Sequence, residues 1–417
     1  MDYGGTGAER EAPWPGRLLD VDLLRATGVR AVPFRQFILK VQSRCNLSCT
    51  YCYVYHGADS GWRDRPARMP EAVTRHTARR IAEHVRAHGL RRIRVELHGG
   101  EPLLAGAASL VRQTALVRAA LPADCTLVAG VQTNGTLLTE SALATLAAGG
   151  IRVGLSADGG TPGLNARRVD HAGRPAWPAL ERAARLLSRH PGSHGGILCT
   201  VDVTASPAAV LDSLCALRPP VVDFLLPHAN WSAPPPAAPG RGPAPYGDWL
   251  CEVFDLWWDL PRPSPRVRLF TEILGLLLGR PSGTEAVGLS PVTAVVVETD
   301  GAVEQIDSLK SVYEGAAGTG LDVFRNSFDE ALDHPGIAAR QLGLRALSAQ
   351  CRRCAVVEVC GGGNYAHRFR AGEGFRNPSV YCADLERLIR HVAHRLATAV
   401  TAQRKVYDLP VQPPCVS

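Results

Sequence analysis

FRQFILKVQSRCNLSCTYC, residues 34–52, decides how this chain reads. Its first nine residues are a mostly apolar run with aromatic and β-branched side chains, the composition of a strand. Directly behind it Cys45, Cys49 and Cys52 stand at C-x3-C-x2-C. Where strands alternate with helices, the loop at the C-terminal end of a strand is where ligands bind. Three thiolates on one short loop can hold three irons of a cubane cluster and leave the fourth without a protein ligand. An open metal position suits catalysis, whereas structural zinc closes all four of its positions. The bland alternatives are a zinc knuckle borrowing His56 and three core thiols.

Outward from the triplet, further strand candidates lie at 93–99, 126–133, 151–157, 196–203 and 221–228, besides 34–42. Helical stretches at 71–88, 103–120, 139–148, 176–190 and 207–217 separate them. Six β/α units imply a parallel sheet, either a partial barrel or an open doubly wound sheet. The 417 residues suit two to three domains, and 46% apolar residues suffice for large cores. A formal charge of +7 rests almost wholly on arginine, with lysine only at Lys40, Lys310 and Lys405. The arginines are scattered rather than clustered, which argues against a nucleic-acid surface. No apolar run reaches the roughly 18 residues that cross a bilayer, and the start lacks a basic-then-apolar targeting pattern. A cytoplasmic protein is expected, with its 12 cysteines reduced and metal ligation as their first reading.

The rest of the chain is organised differently. Residues 1–33 read as a loose arm with one short helix near 20–26. A Pro-rich break at 232–247 precedes helical segments at 246–260 and 266–279. The stretch 292–307 reads as a hairpin turning at Asp300–Gly301. Cys351, Cys354 and Cys360 follow at C-x2-C-x5-C, Cys382 closes the set, and a last helix spans 383–405. Four such cysteines can satisfy every corner of a cluster, and zinc ribbons have similar spacing.

With Tyr51 before its last cysteine, the first triplet resembles the signature of radical S-adenosylmethionine enzymes. The resemblance implies an α/β fold, a partial (β/α)6 barrel of the radical SAM type. It also implies a [4Fe-4S] cluster whose open iron chelates S-adenosylmethionine, which is cleaved to a radical that removes a hydrogen atom from substrate. In it Tyr51 lies beside the adenine. HGGEP (98–102) ends the second strand, where Gly99 and Gly100 allow close backbone approach and Glu101 accepts from the cofactor's amino group. QTNG (132–135) and SADG (156–159) end the next two strands and bring Asn134, Ser156 and Asp158 near the cofactor or substrate. A following His-Asn-x-x-Arg pattern is matched by Asn165 and Arg168, a candidate carboxylate clamp, while Leu164 replaces the His.

The second cysteine set resembles a SPASM domain, the auxiliary-cluster extension of radical enzymes that act on peptides. A full SPASM domain has seven cysteines and two auxiliary clusters. Here Ile306 and Asn364 stand where two of the ligands belong, and no cysteine lies between 252 and 350. A reduced SPASM-like domain with one auxiliary cluster is expected, so two [4Fe-4S] clusters in all. Asp307 directly follows the lost cysteine. By resemblance to anaerobic sulfatase-maturating enzymes it is the candidate catalytic base, and a carboxylate between clusters could have a raised pKa; the bland alternative is a hairpin-end Asp capping a turn. The resulting division is an arm over 1–33, the barrel over 34–231, and a linker with bridging helices over 232–289. The auxiliary domain then covers 290–385, and a C-terminal helix and tail cover 386–417.

CGGGNYAHRFRAGEGFRNPSVYCADL (360–385), taken with 34–57, closely resembles FxsB-type peptide maturases, which form three-residue cyclophanes. That resemblance implies a ribosomal precursor peptide as substrate and an external electron donor, with neither nucleic acid nor membrane as partner. A β-carbon radical would bond to an aromatic ring, Asp307 taking the proton and the auxiliary cluster the electron. Oxidation or epimerisation of a peptide residue is the enzymatic alternative, and a zinc-bound peptide-binding protein the non-enzymatic one. His84 with His88, and His391 with His394, read as solvated helix faces rather than metal pairs. Trp249, Trp257 and Trp258 read as packing residues, and Cys125, Cys199, Cys215 and Cys251 as small buried apolar ones. Cys415 is too near the end for a prenylation box.

Overall fold

The computed structural model describes residues 14–236, 242–261 and 265–407. Cys415 lies outside these residues, as do the first 13 residues of the arm.

Each β/α unit closes where its punctuation directs. The helix Glu71–Ala87 starts behind Pro70, whose ring suits the entry to a first turn, and the chain leaves it through Gly89 at φ +58°. Thr139 and Ser206 accept from Ala142 N–H and Ala209 N–H, capping the helices Glu140–Ala148 and Pro207–Ala216. Between such helices run β1 (Gln36–Gln42), β2 (Arg92–Gly99), β3 (Thr126–Thr133), β4 (Ile151–Ser156), β5 (His194–Thr200) and β6 (Val221–Leu225). All six are parallel and adjacent in chain order, the arrangement that successive β/α units build. The strand period of two sorts their side chains. Phe37, Leu39, Val41, Val95 and Leu97 are fully buried, while Lys40, His98 and Gln132 belong to the alternate, polar face.

A two-residue strand, β7 (Arg266–Val267), extends the β6 edge. On the other side β8 (Ala294–Val297) pairs parallel with β1, followed antiparallel by β9 (Ala302–Glu304) and β10 (Gly318–Asp322). The hairpin expected at Asp300–Gly301 is therefore present, but it continues the barrel sheet. One ten-stranded sheet, ordered β10-β9-β8-β1 to β7, crosses the boundary expected at residue 290. The closing helix Cys382–Tyr407 packs against Pro245–Trp258, with Asp384 accepting from Gly247 N–H at 2.9 Å and His391 bonded to Asp255 at 2.8 Å.

Four expectations need correction. The described part of the arm is not loose: Trp14 and Val21 are buried, and Arg25 pairs with Asp333. His84 is not on a solvated face; it is 2% exposed and bonded, with His88, to Asp329. His391 likewise reaches across to Asp255. Cys125 and Cys215 are only half-buried, although Cys199 and Cys251 are buried. In each helical case the partner comes from a distant segment, which periodicity alone cannot supply.

No helix among the described residues is long and apolar enough to cross a membrane.

Candidate functional site

The ends of all six parallel strands converge on one cavity of about 580 Å³. Cys45, Cys49 and Cys52 line it from the loop after β1, with Gly99 and Gly100 after β2 and Asn134 after β3. Ser156, Thr200 and His228 contribute from β4, β5 and the end of β6. Leu47, Val201, Val203, Leu225 and Leu226 supply an apolar lining.

The cysteine loop is held on both sides. Ser48 N–H and Thr50 N–H bond to the carbonyls of Val169 and Arg167, and His171 meets the Cys45 carbonyl at 2.9 Å. Arg44 bonds to the carbonyls of Trp62, Arg63 and Arg65, fixing the next loop over it. The Cys45 sulfur receives Leu47 N–H at 3.4 Å and the Asn134 amide at 3.7 Å. Burial pushes the Cys45 thiol up to about 12, helped by the Glu101 carboxylate and the two neighbouring thiols. The three sulfurs thus form one electrostatically linked set that metal must deprotonate on binding. The donor set fits three corners of a cluster. His56, the fourth ligand a zinc knuckle needs, is absent from the cavity lining and bonds Ser48 at 3.2 Å.

Glycine is required after β2 because backbone and ring crowd it. A Cβ on Gly100 would lie 1.9 Å from the Tyr55 hydroxyl and 2.4 Å from the Arg44 carbonyl. Gly99, at φ +150°, meets the Gln42 carbonyl in the same way. The close approach is therefore to the end of β1.

Glu101 and Asp158 occupy places other than those expected. Glu101 is fully buried and absent from the cavity lining. Its carboxylate accepts from Leu103 N–H, Thr133 Oγ1 and Asn134 N–H at 2.7–2.9 Å. Burial raises its pKa against those three bonds. It holds the Asn134 loop in place instead of reaching into the cavity. Asp158 is also outside the lining. Arg168 grips it through two bonds of 2.9 and 2.8 Å, Thr200 N–H donates at 3.1 Å, and the Tyr51 hydroxyl donates at 2.5 Å. Arg168 does line the cavity, with its guanidinium engaged in this pair, both partners being under a tenth exposed. Asn165 braces the turn from below, bonding Asp158 N–H and the Gly159 and Thr161 carbonyls. Ser156 accepts from Gln132 at 2.9 Å and does line the cavity.

Asp307 departs furthest from expectation. Burial alone would raise its pKa, as expected of a base. Lys40 at 2.5 Å, Lys310 and His98 instead hold the carboxyl well below the usual range. Two of the chain's three lysines meet here, and neither belongs to a motif. A lysine inside the apolar run FILKV was the available signal. His98, Tyr53 and His228 also line the cavity without having been given a role. Their strand-end positions could have marked His98 and His228.

The second cysteine set surrounds a hollow of about 70 Å³, also lined by Ser379 and Glu386. Cys351 and Cys354 flank one turn, Cys360 ends the helix Val357–Cys360, and Cys382 opens the last helix. Cys360 is pushed up to about 11 by burial and by Cys382 and Cys351, against a backbone bond, so these sulfurs too are close. Four thiols on one small hollow fit a fully ligated cluster. Arg368, which sequence reading missed, donates to the carbonyls of Gly361, Gly362 and Gly363 and so shapes the turn behind Cys360. Gly361 adopts φ +60°, with the Gly288 carbonyl 1.8 Å from any Cβ. Gly361→Ala is expected to displace Cys360 and lower the iron content by about four per chain, as counted by iron assay.

Where the further SPASM ligands are missing, packing takes their place. Ile306 is buried in a cluster with Trp14, Leu309, Ala338, Ala339, Tyr365, Phe369 and Phe375. Asn364 caps the turn Tyr365–Arg368 by accepting from Ala366 N–H at 3.0 Å.

Residues 39–201 match the model of the Radical SAM superfamily. This is a radical SAM fold. Among solved structures, native anSMEcpe with bound AdoMet superposes with a TM-score of 0.73 at 23% identity, over 88% of this chain and 99% of that one. Streptococcus suis SuiB superposes at 0.58 and 14% identity, over 85% and 79%. A cysteine-type anaerobic sulfatase-maturating enzyme of Clostridium perfringens is 26% identical over 373 residues, 87% of this chain and 97% of that one. A serine-type enzyme of Klebsiella aerogenes is 27% identical over 348 residues, 82% of each. The cofactors are those expected of a radical SAM fold, S-adenosylmethionine with [4Fe-4S] clusters.

Proposed function

We propose that this chain is a radical SAM maturase of a ribosomal precursor peptide, joining a side-chain carbon to an aromatic ring within the peptide. The observation that carries the reading is the pairing of two unlike cysteine sites. One set of three opens onto a cavity of about 580 Å³; the other, of four, closes on a small hollow. When bound, S-adenosylmethionine on the open cluster supplies a carbon radical that takes a hydrogen atom from substrate.

The protein's part is positioning and exclusion of water. Asn134 and Leu47 N–H steady the Cys45 sulfur, and such donors favour the charged form of a thiolate. The Asp158–Arg168 pair fixes Tyr51, whose ring has the two guanidinium carbons of Arg167 and Arg168 each 5.6 Å from its centre. Leu47, Val201, Val203 and Leu226 keep the reacting space apolar, which suits a species that attacks any nearby C–H bond.

Cross-linking removes two hydrogen atoms from the peptide overall. The test is to search beside the gene for a short reading frame and to co-express its peptide anaerobically with the enzyme. Expected is that mass loss, with no backbone fragments from between the joined residues in tandem mass spectrometry. The likeness to sulfatase-maturating relatives favours a second reading, oxidation of one side chain to a carbonyl. That product would react with a hydrazide probe and fragment normally. An unmodified peptide, with zinc in both sites, would sink both readings.

A further inference from the structure

His98 lines the cavity with one ring nitrogen held beside Lys40 and Asp307. The parallel register sets Lys40 of β1 beside His98 of β2 on the same face. Lys40 Nζ lies 3.3 Å from His98 Nδ1 and 2.5 Å from Asp307 Oδ2. An ammonium has only donors, so the nitrogen facing it must present a lone pair. Burial and the Lys40 charge push the imidazole down to about 4, against the pull of Asp307. At neutral pH the ring therefore carries one proton; Asp307 Oδ2 also lies 3.7 Å from Nδ1, but the nearer Lys40 ammonium, at 3.3 Å, favours that proton on Nε2. The side chain is 30% exposed and lines the cavity. Among the described residues nothing is bonded to Nε2.

Lys40 sits at the edge of a buried charge network. Glu298, Glu304 and Asp307 form a buried carboxylate group of the sort that holds a cation. Here the cations are Lys40, Lys310 and Arg65: Lys310 bonds Glu298 and lies 3.0 Å from Glu304, while Arg65 reaches Glu304 at 2.5 Å and Asp300 at 2.7 Å. The network anchors Asp307, Asp307 anchors Lys40, and Lys40 orients the ring. Tyr53 and His228, 4.3 Å apart, lie within the field of Asp307 and line the same cavity.

We infer that His98 holds a backbone carbonyl of the substrate peptide through its Nε2–H, with Lys40 and Asp307 as the positioning pair that fixes this tautomer. A protonated Nε2 cannot act as a base, and a carbonyl is the acceptor that a peptide carries at every residue. The inference rests on the peptide-maturase reading. It replaces the expectation that Asp307 removes a proton itself.

The glutamine amide places an N–H where Nε2 stands; leucine places none. With the anaerobic holoenzyme and the peptide encoded beside the gene, His98→Gln is expected to keep peptide affinity within about threefold. His98→Leu should weaken it by about tenfold, the worth of one hydrogen bond in a dry site. Equal loss in both variants, or a loss in S-adenosylmethionine affinity instead, would overturn the inference. The side-chain ¹⁵N spectrum reads the tautomer directly. A bare Nδ1 in the parent, becoming a mixture of tautomers in Lys40→Met, is expected; a proton on Nδ1 in the parent would overturn the Lys40 half. If the parent modifies no peptide while its Nδ1 is bare, the maturase reading falls and takes the carbonyl with it, leaving the positioning pair established.

Discussion

A chain with Cys45→Ala, Cys49→Ala and Cys52→Ala together is expected to bind about four irons in place of about eight, and to release no 5′-deoxyadenosine on reduction. The two sites share no ligands: the first set comes from one loop after β1, the second from residues 351–382. Loss of the open site should therefore spare the closed one. The reciprocal change, Cys351→Ala with Cys382→Ala, should also leave about four irons, now with the spectrum of the cavity site. Iron and sulfide assay with anaerobic electron paramagnetic resonance reads both. A triple variant that still holds about eight irons, or still cleaves S-adenosylmethionine, would place the open cluster elsewhere. Zinc in the intact protein would discard the cluster reading altogether. The effect on turnover is total rather than graded, because the cavity lining offers no comparable set of thiols.

Much of this arrangement was legible because local chemistry dictates it. The strand read at 126–133 is observed at those residues, and the helix read at 207–217 is observed at 207–216, its start fixed by Ser206 and its Pro207. Gly99, Gly100, Asn134 and Ser156 fall at the cavity because parallel β/α order brings the strand ends together there. What sequence could not give was the direction of each polar side chain. Glu101 and Asp158, expected to face the cofactor, find protein partners within 3.1 Å outside the cavity lining, while Arg168 lines the cavity and bonds Asp158 as well. Asp307 was read from its neighbour in the chain, whereas its pKa is set by Lys40, 267 positions earlier. The sheet made the same point. A hairpin is a local event, but its parallel docking of β8 on β1 is not, so a domain boundary was placed through a continuous sheet. Ile306 and Asn364 were recognised as missing ligands, while the apolar cluster that replaces them needed Trp14 from the arm.

Asp158→Ala is expected to destabilise the protein by about 3–5 kcal/mol, because it strands the buried Arg168 guanidinium without its carboxylate. Four donors converge on that one side chain: two from Arg168, the Tyr51 hydroxyl and Thr200 N–H. An arginine does not shed its charge to escape burial, so the cost stays with the folded state. The urea midpoint of the anaerobic protein measures it. Adding Arg168→Leu to Asp158→Ala should restore much of the loss, since the second change removes the stranded charge and fills the space. If the double variant is no more stable than the single one, the pair itself contributes net stability and the stranding argument fails. Function should not return with stability. Tyr51 stands between Cys49 and Cys52 and loses its anchor in both variants, and Thr200 N–H at the cavity wall loses its acceptor. S-adenosylmethionine affinity is therefore expected to stay reduced in the double variant after the urea midpoint has recovered. That separation would distinguish a pair kept to position the site from one kept to hold the fold.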